Sequence, residues 1–363
     1  MKRVVLLGGG HAHAYVLRAL IDEPLPHSRL TLVTPYAHHT YSGMLPGLVA
    51  GHYAVADVRI DVARLAAAVG AEWRCAQATA LDAARRQVTL DDGTTLEYDI
   101  ASLNLGSLPN TAAVPGSAQH ALAAKPFEQF LDGWNALLGR AGGSPISVAL
   151  AGAGAAGVEL AMAVAYRLDA LGRKGAVTLY SDRPMFRGAL ARRVHAALER
   201  SGVRLREPEA VARVEPDGVV VTRAGSSRYD AVIWTAGAAP LPWLRASGLD
   251  ADTAGFVQVD DTLRSTSHPE LFAVGDCATL RDHPHPKSGV YAVRHGDYLA
   301  RNLRYAIAEV PCQRYHPQRR ALALLSCGAR RAIADWSGWT AEGAWVWRWK
   351  DWIDRRWIAR FVL

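Results

Sequence analysis

The sequence predicts an α/β fold in which one domain of the βαβ type is inserted into another, with a short module at the C-terminus. Two observations carry the prediction. Two glycine-rich turns, each set between an apolar strand pattern and a helical pattern, begin at Gly8 and Gly152, about 145 residues apart. Two later stretches, Tyr98 to Pro109 and Tyr229 to Pro240, each run from an apolar strand into a glycine and then a proline, as expected where a chain leaves a parallel sheet.

Composition narrows the class. With 363 residues, half of them hydrophobic and 21% charged, the chain has room for two or three domains and a sizeable core. No apolar run approaches the roughly 18 to 20 residues that span a bilayer. The run after Met1-Lys2-Arg3 is cut at Gly8, too early for a secretory signal, so a cytoplasmic protein is expected. Cys75, Cys277, Cys312 and Cys327 show no C-x-x-C spacing, and the pairs His11/His13, His38/His39 and His283/His285 lack the separation of a ligand pair. Neither a disulfide framework nor a metal site is expected. The net charge of +7 is uneven: from Gln313 to Leu363 ten basic residues, Arg319 and Arg320 among them, face four acids, which gives +6. The basic character therefore belongs to a C-terminal module, and no nucleic-acid partner is expected.

Arg3-Val4-Val5-Leu6-Leu7 is apolar on both faces, as in a strand buried within a parallel sheet. It enters Gly8-Gly9-Gly10-His11-Ala12-His13 and then the helical pattern Tyr15 to Leu20. Gly8 permits the tight turn; Gly10 lets the backbone approach a pyrophosphate at the helix N-terminus, which His11 and Ala12 open. His13 replaces the third glycine. The next strand, Leu30 to Val33, ends in Thr34-Pro35, where an acid for an adenosine ribose is expected, so Thr34 or backbone must hold that sugar.

The second turn is complete. Ile146 to Ala151 precedes Gly152-Ala153-Gly154-Ala155-Ala156-Gly157 and an alanine-rich helix, the context that gives this motif its meaning. Its following strand, Ala176 to Tyr180, ends in Ser181-Asp182-Arg183. Ser181 with Arg183 suits a 2′-phosphate and Asp182 suits a ribose, which leaves NADH against NADPH open. Two turns imply two dinucleotides, with Gly106 and Gly237 marking where each strand leaves its domain.

Beyond the second repeat comes Glu270-Leu271-Phe272-Ala273-Val274-Gly275-Asp276-Cys277, and there the chain resembles the FAD-dependent pyridine nucleotide oxidoreductases. The resemblance covers roughly residues 1 to 310. Gly8-Gly9-Gly10-His11-Ala12-His13, Tyr41 to Tyr53 and Pro286 to Arg294 look like the type II NADH dehydrogenase-like branch, in particular the flavoprotein domain fused to selenide, water dikinase. It implies FAD bound by residues 1–113 and 248–316, NAD(P)H bound by residues 114–247, and a module of residues 317–363. Gly275 and Asp276 match the family pair that closes the flavin domain, the carboxylate accepting from the ribityl chain. Glu159 looks like the family glutamate that seats the nicotinamide, with a dipole-favoured helix acid as the plain reading. Lys125 and Lys287 are candidates for positive charge near the reduced flavin. Tyr41, Pro46, Gly289 and Tyr291 are expected around the isoalloxazine.

The departures bear on the acceptor. Tyr41 to Tyr53 lacks the cysteine pair of the disulfide reductases, and Gly289 to Arg294 replaces the A-Q-x-A-x-Q run of the type II enzymes. The expected activity is NAD(P)H oxidation with electrons passed to a quinone or another small acceptor. A reductase of a soluble carrier protein or of a sulfur or selenium compound, using Cys327, is the alternative; so is a flavin-binding regulatory module. Seven of the eleven tryptophans fall in the last 28 residues. Val346, Trp349, Ile353, Trp357 and Phe361 form one expected helical stripe, flanked by Arg348, Lys350, Arg355, Arg356 and Arg360. Such a helix suits the inner face of a membrane, its own flavin domain or a second subunit.

Overall fold

The computed structural model describes residues 1–140, 143–318 and 321–363; Arg319 and Arg320 of the basic tail lie outside them. One five-stranded sheet is wholly parallel, in the order Leu271–Ala273, Ile100–Leu103, Lys2–Leu7, Ser28–Val33, Glu72–Arg74. Its central strand is covered on both faces, which is why Val4, Leu6 and Leu7 are fully buried and why the sequence there does not alternate. A second parallel sheet runs Leu122–Ala123, Ala231–Trp234, Ile146–Ala151, Lys174–Tyr180, Val203–Arg206. All its strands lie in sequence between the fourth and fifth strands of the first sheet. The second unit is therefore inserted into the first.

Each sheet carries the same excursion. Ala78–Asp82, Gln87–Leu90 and Thr95–Glu97 form an antiparallel meander before the return strand Ile100–Leu103, and Val211–Glu215, Val219–Thr222 and Gly225–Arg228 form another before Ala231–Trp234. The two connections between sheets are tied: Leu108 N donates to Ala239 O at 2.9 Å and Ala239 N to Leu108 O at 2.8 Å. Gly106 and Gly237 turn the chain just before these crossings with φ of 71° and 68°, a conformation that favours glycine. Helix His11–Asp22 packs on helix Gly289–Ala308, where a Cβ on Gly296 would lie 2.6 Å from that of Tyr15.

The C-terminal module is a three-stranded antiparallel sheet, Ala323–Ser326, Ala332–Trp336 and Trp339–Gly343, followed by helix Ala344–Ile358. It joins both cores. Leu325, Cys327 and Ile333 pack with the inserted domain, whereas Trp357 and Phe361 pack with the first. Burial of each such large side chain stabilises the fold by about 1.5–3 kcal/mol.

The expected stripe of this helix is corrected. The inward face is Val346, Lys350, Asp354, Trp357 and Phe361, and Trp349 is 37% exposed. Both stripes have helical spacing, but Lys350 and Asp354 neutralise one another at 2.7 Å and so enter the interior together. The outward face carries Trp345, Trp349, Trp352 and Arg356, the Arg356 guanidinium lying 5.3 Å from the Trp352 ring centre.

Candidate functional site

The first glycine turn sits at the carboxyl end of the central strand. Gly8 has φ of 92°, and added side chains at Gly8 and Gly10 would strike Asn104. Buried Asn104, which sequence reasoning passed over, staples the region together. Its Oδ1 accepts from Ala12 N at 3.1 Å and His13 N at 3.3 Å, and its Nδ2 donates to Val274 O at 3.1 Å. His13, in the third glycine's place, is fully buried with its ring nitrogens 2.6 Å from Gly8 O and 2.9 Å from Ser102 Oγ. A carbonyl only accepts, so Nδ1 carries the proton and Nε2 accepts from Ser102. Burial holds His13 down at about 4, and hence neutral. Thr34 is buried beside Gly9.

Asp276 meets the residues that the sequence marked separately. Its Oδ2 accepts from Lys125 Nζ at 2.9 Å and from Ser107 Oγ at 3.3 Å. The expected ribityl acceptor and one expected cation thus form an ion pair, with side chains 14% and 34% exposed. The Gly275 amide donates to His295 Nδ1 at 3.0 Å, which fixes the turn, with φ of 69°, that presents Asp276. Lys287 is held by the protein. It donates to Ala278 O and to Thr279 Oγ1, the latter at 2.7 Å, and lies 4.1 Å from the Phe256 ring centre. Its cation braces strand Ala278–Leu280, and burial lowers its pKa.

His11 is the hub of an aromatic and polar cluster. Its Nδ1 lies 3.1 Å from His39 Nε2, its Nε2 3.3 Å from Ser42 Oγ, and burial with the Lys125 charge holds it down at about 4. A Cβ on Gly289, at the start of its helix, would lie 3.2 Å from Ser42 Oγ, so the two helix starts converge. Tyr41 stacks on Trp357 at 4.4 Å and donates to Asp354 Oδ1 at 3.2 Å; Tyr291 stacks on His285 at 4.0 Å. Both rings expected around the flavin therefore have protein partners. Pro46 is buried in helix Leu45–Ala50.

The second turn shows what each glycine does. Gly152 has φ of 106°, and a Cβ there would lie 2.7 Å from Ala236 Cα. Gly157 backs onto the Gly152 carbonyl, and Gly237 onto Asn110. A Cβ on Gly154 would meet nothing within 4 Å. That open space lies at the N-terminus of helix Ala155–Ala170, whose Gly154 cap offers no side-chain acceptor. Ser181 Oγ donates to Arg183 O at 2.6 Å and closes the turn, while Asp182 and Arg183 are exposed.

Glu159 points to the C-terminal module. Its Oε1 accepts from Ser326 N at 2.7 Å, and burial raises its pKa from 4.5 to about 7, opposed chiefly by the Lys350 charge. Lys350 in turn donates to Gly43 O at 2.6 Å and Asp354 Oδ2 at 2.7 Å. Lys350, Asp354 and Trp357 thus lie beside Glu159, Gly43 and Tyr41, although the sequence reading put Lys350 on the flank and Trp357 in the apolar stripe of the helix and did not single out Asp354. The spacing of four between Lys350 and Asp354 was the available signal.

The raised pKa fixes a sign. Folded chains bind the Glu159 proton more tightly than unfolded ones, so this group's contribution to stability falls as pH rises from 4.5 to about 7. Glu159→Gln is expected to flatten that slope in Tm measured against pH. A slope identical to that of the unaltered chain would exclude Glu159 as its source.

The geometry fits two dinucleotides. Gly154 borders space that a pyrophosphate can enter, and the protein's hydrogen bonds to Asp276 reach only Oδ2 among the described residues, leaving Oδ1 for a ribityl hydroxyl. Two parallel sheets with these turns at strand ends define a paired dinucleotide-binding class. The chain belongs to the pyridine nucleotide-disulphide oxidoreductase family, whose model matches residues 2–296. It falls in the type II NADH dehydrogenase-like branch and is an FAD-dependent NAD(P)H oxidoreductase. It is 28% identical over 312 residues to NADH dehydrogenase-like protein YutJ of Bacillus subtilis, covering 84% of this chain and 83% of that protein. It is 27% identical over 359 residues to alternative NAD(P)H-ubiquinone oxidoreductase C1 of Arabidopsis thaliana, covering 85% and 68%. The sulfide:quinone oxidoreductase of Aquifex aeolicus shares the fold with a TM-score of 0.79 at 19% identity, covering 99% of this chain and 91% of that one.

Proposed function

We propose that this chain passes electrons from NAD(P)H through FAD to a quinone held at a membrane surface. The observation that carries the reading is the two-faced C-terminal helix. Its inner face puts Lys350, Asp354 and Trp357 against the Tyr41 and His11 cluster, and its outer face sets Trp345, Trp349 and Trp352 beside Arg348 and Arg356. Trp336 and Trp339 of the adjacent hairpin are 60% and 55% exposed. Exposed tryptophan with arginine suits the headgroup region of an anionic bilayer. No helix among the described residues is long and apolar enough to cross a membrane; the contact proposed is peripheral, through the exposed tryptophans and arginines. The names of the plant relative and of the structural neighbour both carry a quinone.

Residues 1–113 and 248–316 hold FAD, through Gly8, Gly10, Ala12, Thr34, Gly275 and Asp276, and residues 114–247 hold NAD(P)H, through Gly152, Gly154 and Gly157. Bound flavin supplies hydride acceptance from nicotinamide and electron release to the acceptor. The protein positions the two rings and excludes water. Glu159, titrating at about 7, exchanges a proton near neutral pH, with Lys350 holding positive charge beside it. All four cysteines are free, and burial pushes the Cys327 thiol up to about 12. Such a thiol is a poor nucleophile, which counts against sulfur or selenium chemistry there.

The test compares a water-soluble quinone with a long-chain quinone in anionic vesicles. Trp349→Ala/Trp352→Ala is expected to keep its rate with the first and to lose most of it with the second at low salt. Binding to the vesicles weakens as salt screens the arginines. If NADH-reduced protein is reoxidised by neither quinone faster than in their absence, the reading fails.

A further inference from the structure

Away from both glycine turns a cavity of about 360 Å³ opens in the first domain, lined by Asp260, Thr262, Arg264, Ser265, Thr266 and Arg281 among others. Arg264 bridges to Phe272 of the edge strand, with its guanidinium 5.4 Å from that ring's centre. The ring accounts for the flat face of the guanidinium. It does not account for the N–H edge: Arg264 Nε is buried and has no hydrogen-bond partner among the described residues. Among the described residues the Arg281 guanidinium meets only its exposed neighbour Asp282, at 3.4 Å. Arg264 is only half-buried, so its terminal nitrogens reach the cavity, but a buried N–H edge without an acceptor costs free energy that an acceptor in the cavity would recover.

The remaining groups narrow what the acceptor is. Asp260 Oδ1 is committed to Thr262 N at 2.8 Å, Thr262 Oγ1 at 2.6 Å and Arg264 N at 3.2 Å. Thr266 Oγ1 donates to Asp250 at 3.1 Å. Two guanidinium groups and the Ser265 hydroxyl, shared with Ser267 at 3.2 Å, are left to donate. Leu263, between the lining residues, is held at φ of 69°, and a non-glycine residue in that region is strained. We propose that this cavity is an oxyanion site, gripped by Arg264 and Arg281 with Ser265, for a phosphate or a small phosphorylated molecule. Guanidinium matches phosphate geometry, and the volume exceeds that of a bare anion.

The experiment uses the full, FAD-loaded chain titrated with inorganic phosphate and with glycerol phosphate against sodium chloride of equal ionic strength, followed by Tm and by phosphorus NMR line width. A saturable response is expected, retained in Gly154→Val and abolished in Arg264→Gln. Arg281→Gln is expected to weaken it about tenfold, the loss of one charged hydrogen bond, and its half-exposed side chain leaves folding intact should Arg264→Gln not fold. Tighter binding of glycerol phosphate assigns the organic part to the cavity, and equal binding assigns a free oxyanion. A response unchanged in both arginine variants, or abolished by Gly154→Val, overturns the site.

Discussion

Gly154→Val is expected to raise the KM for NAD(P)H by about tenfold or more while FAD stays bound, measured by steady-state kinetics and flavin absorbance. A Cβ at Gly154 would meet no protein atom within 4 Å, so valine is expected to fold and to obstruct what enters the open space. The same fingerprint provides a contrast. A side chain at Gly157 would collide with the Gly152 carbonyl and lie 2.8 Å from Thr235 Oγ1, so valine there is expected to unfold the inserted domain. If Gly154→Val leaves KM unaltered, the pyrophosphate does not pass over this turn.

The second large effect lies in the C-terminal helix. Lys350→Met or Asp354→Leu alone is expected to cost about 3–5 kcal/mol, because each strands a buried charge. The Lys350 and Asp354 side chains are only 10% and 7% exposed. Removing both charges in Lys350→Met/Asp354→Leu is expected to restore most of that loss, apart from the Gly43 and Tyr41 hydrogen bonds. Urea denaturation of the four proteins measures the coupling. Additive losses would show that the two charges do not compensate each other.

Backbone-level features were legible in the sequence because they impose local rules. A strand flanked on both sides reads as apolar throughout, and a turn at positive φ calls for glycine; Gly8, Gly152, Gly106 and Gly237 all stand at such turns. Side-chain partnerships were less legible. Asn104 sits at a strand end, and only the fold reveals that it reaches Ala12, His13 and Val274. Lys350 read as a flanking charge and Asp354 drew no notice because each alone belongs in water, and the pair is buried where the helix returns to Gly43 and Tyr41. Ser181 was read as a ligand group, and the fold adds that its hydroxyl proton goes to a turn two residues long. Short polar side chains next to a turn serve the backbone as readily as a ligand.

The C-terminal module also has a mechanical role. Two antiparallel crossings joined at Leu108 and Ala239 would by themselves act as a double-stranded hinge, about which the two sheets swing. Leu325 and Ile333 are anchored in one body and Trp357 and Phe361 in the other, so the module is a strut set away from the hinge line. A hinge with an off-axis strut resists torsion. The two parallel sheets are thereby braced against one another at two places, the crossing strands and the module.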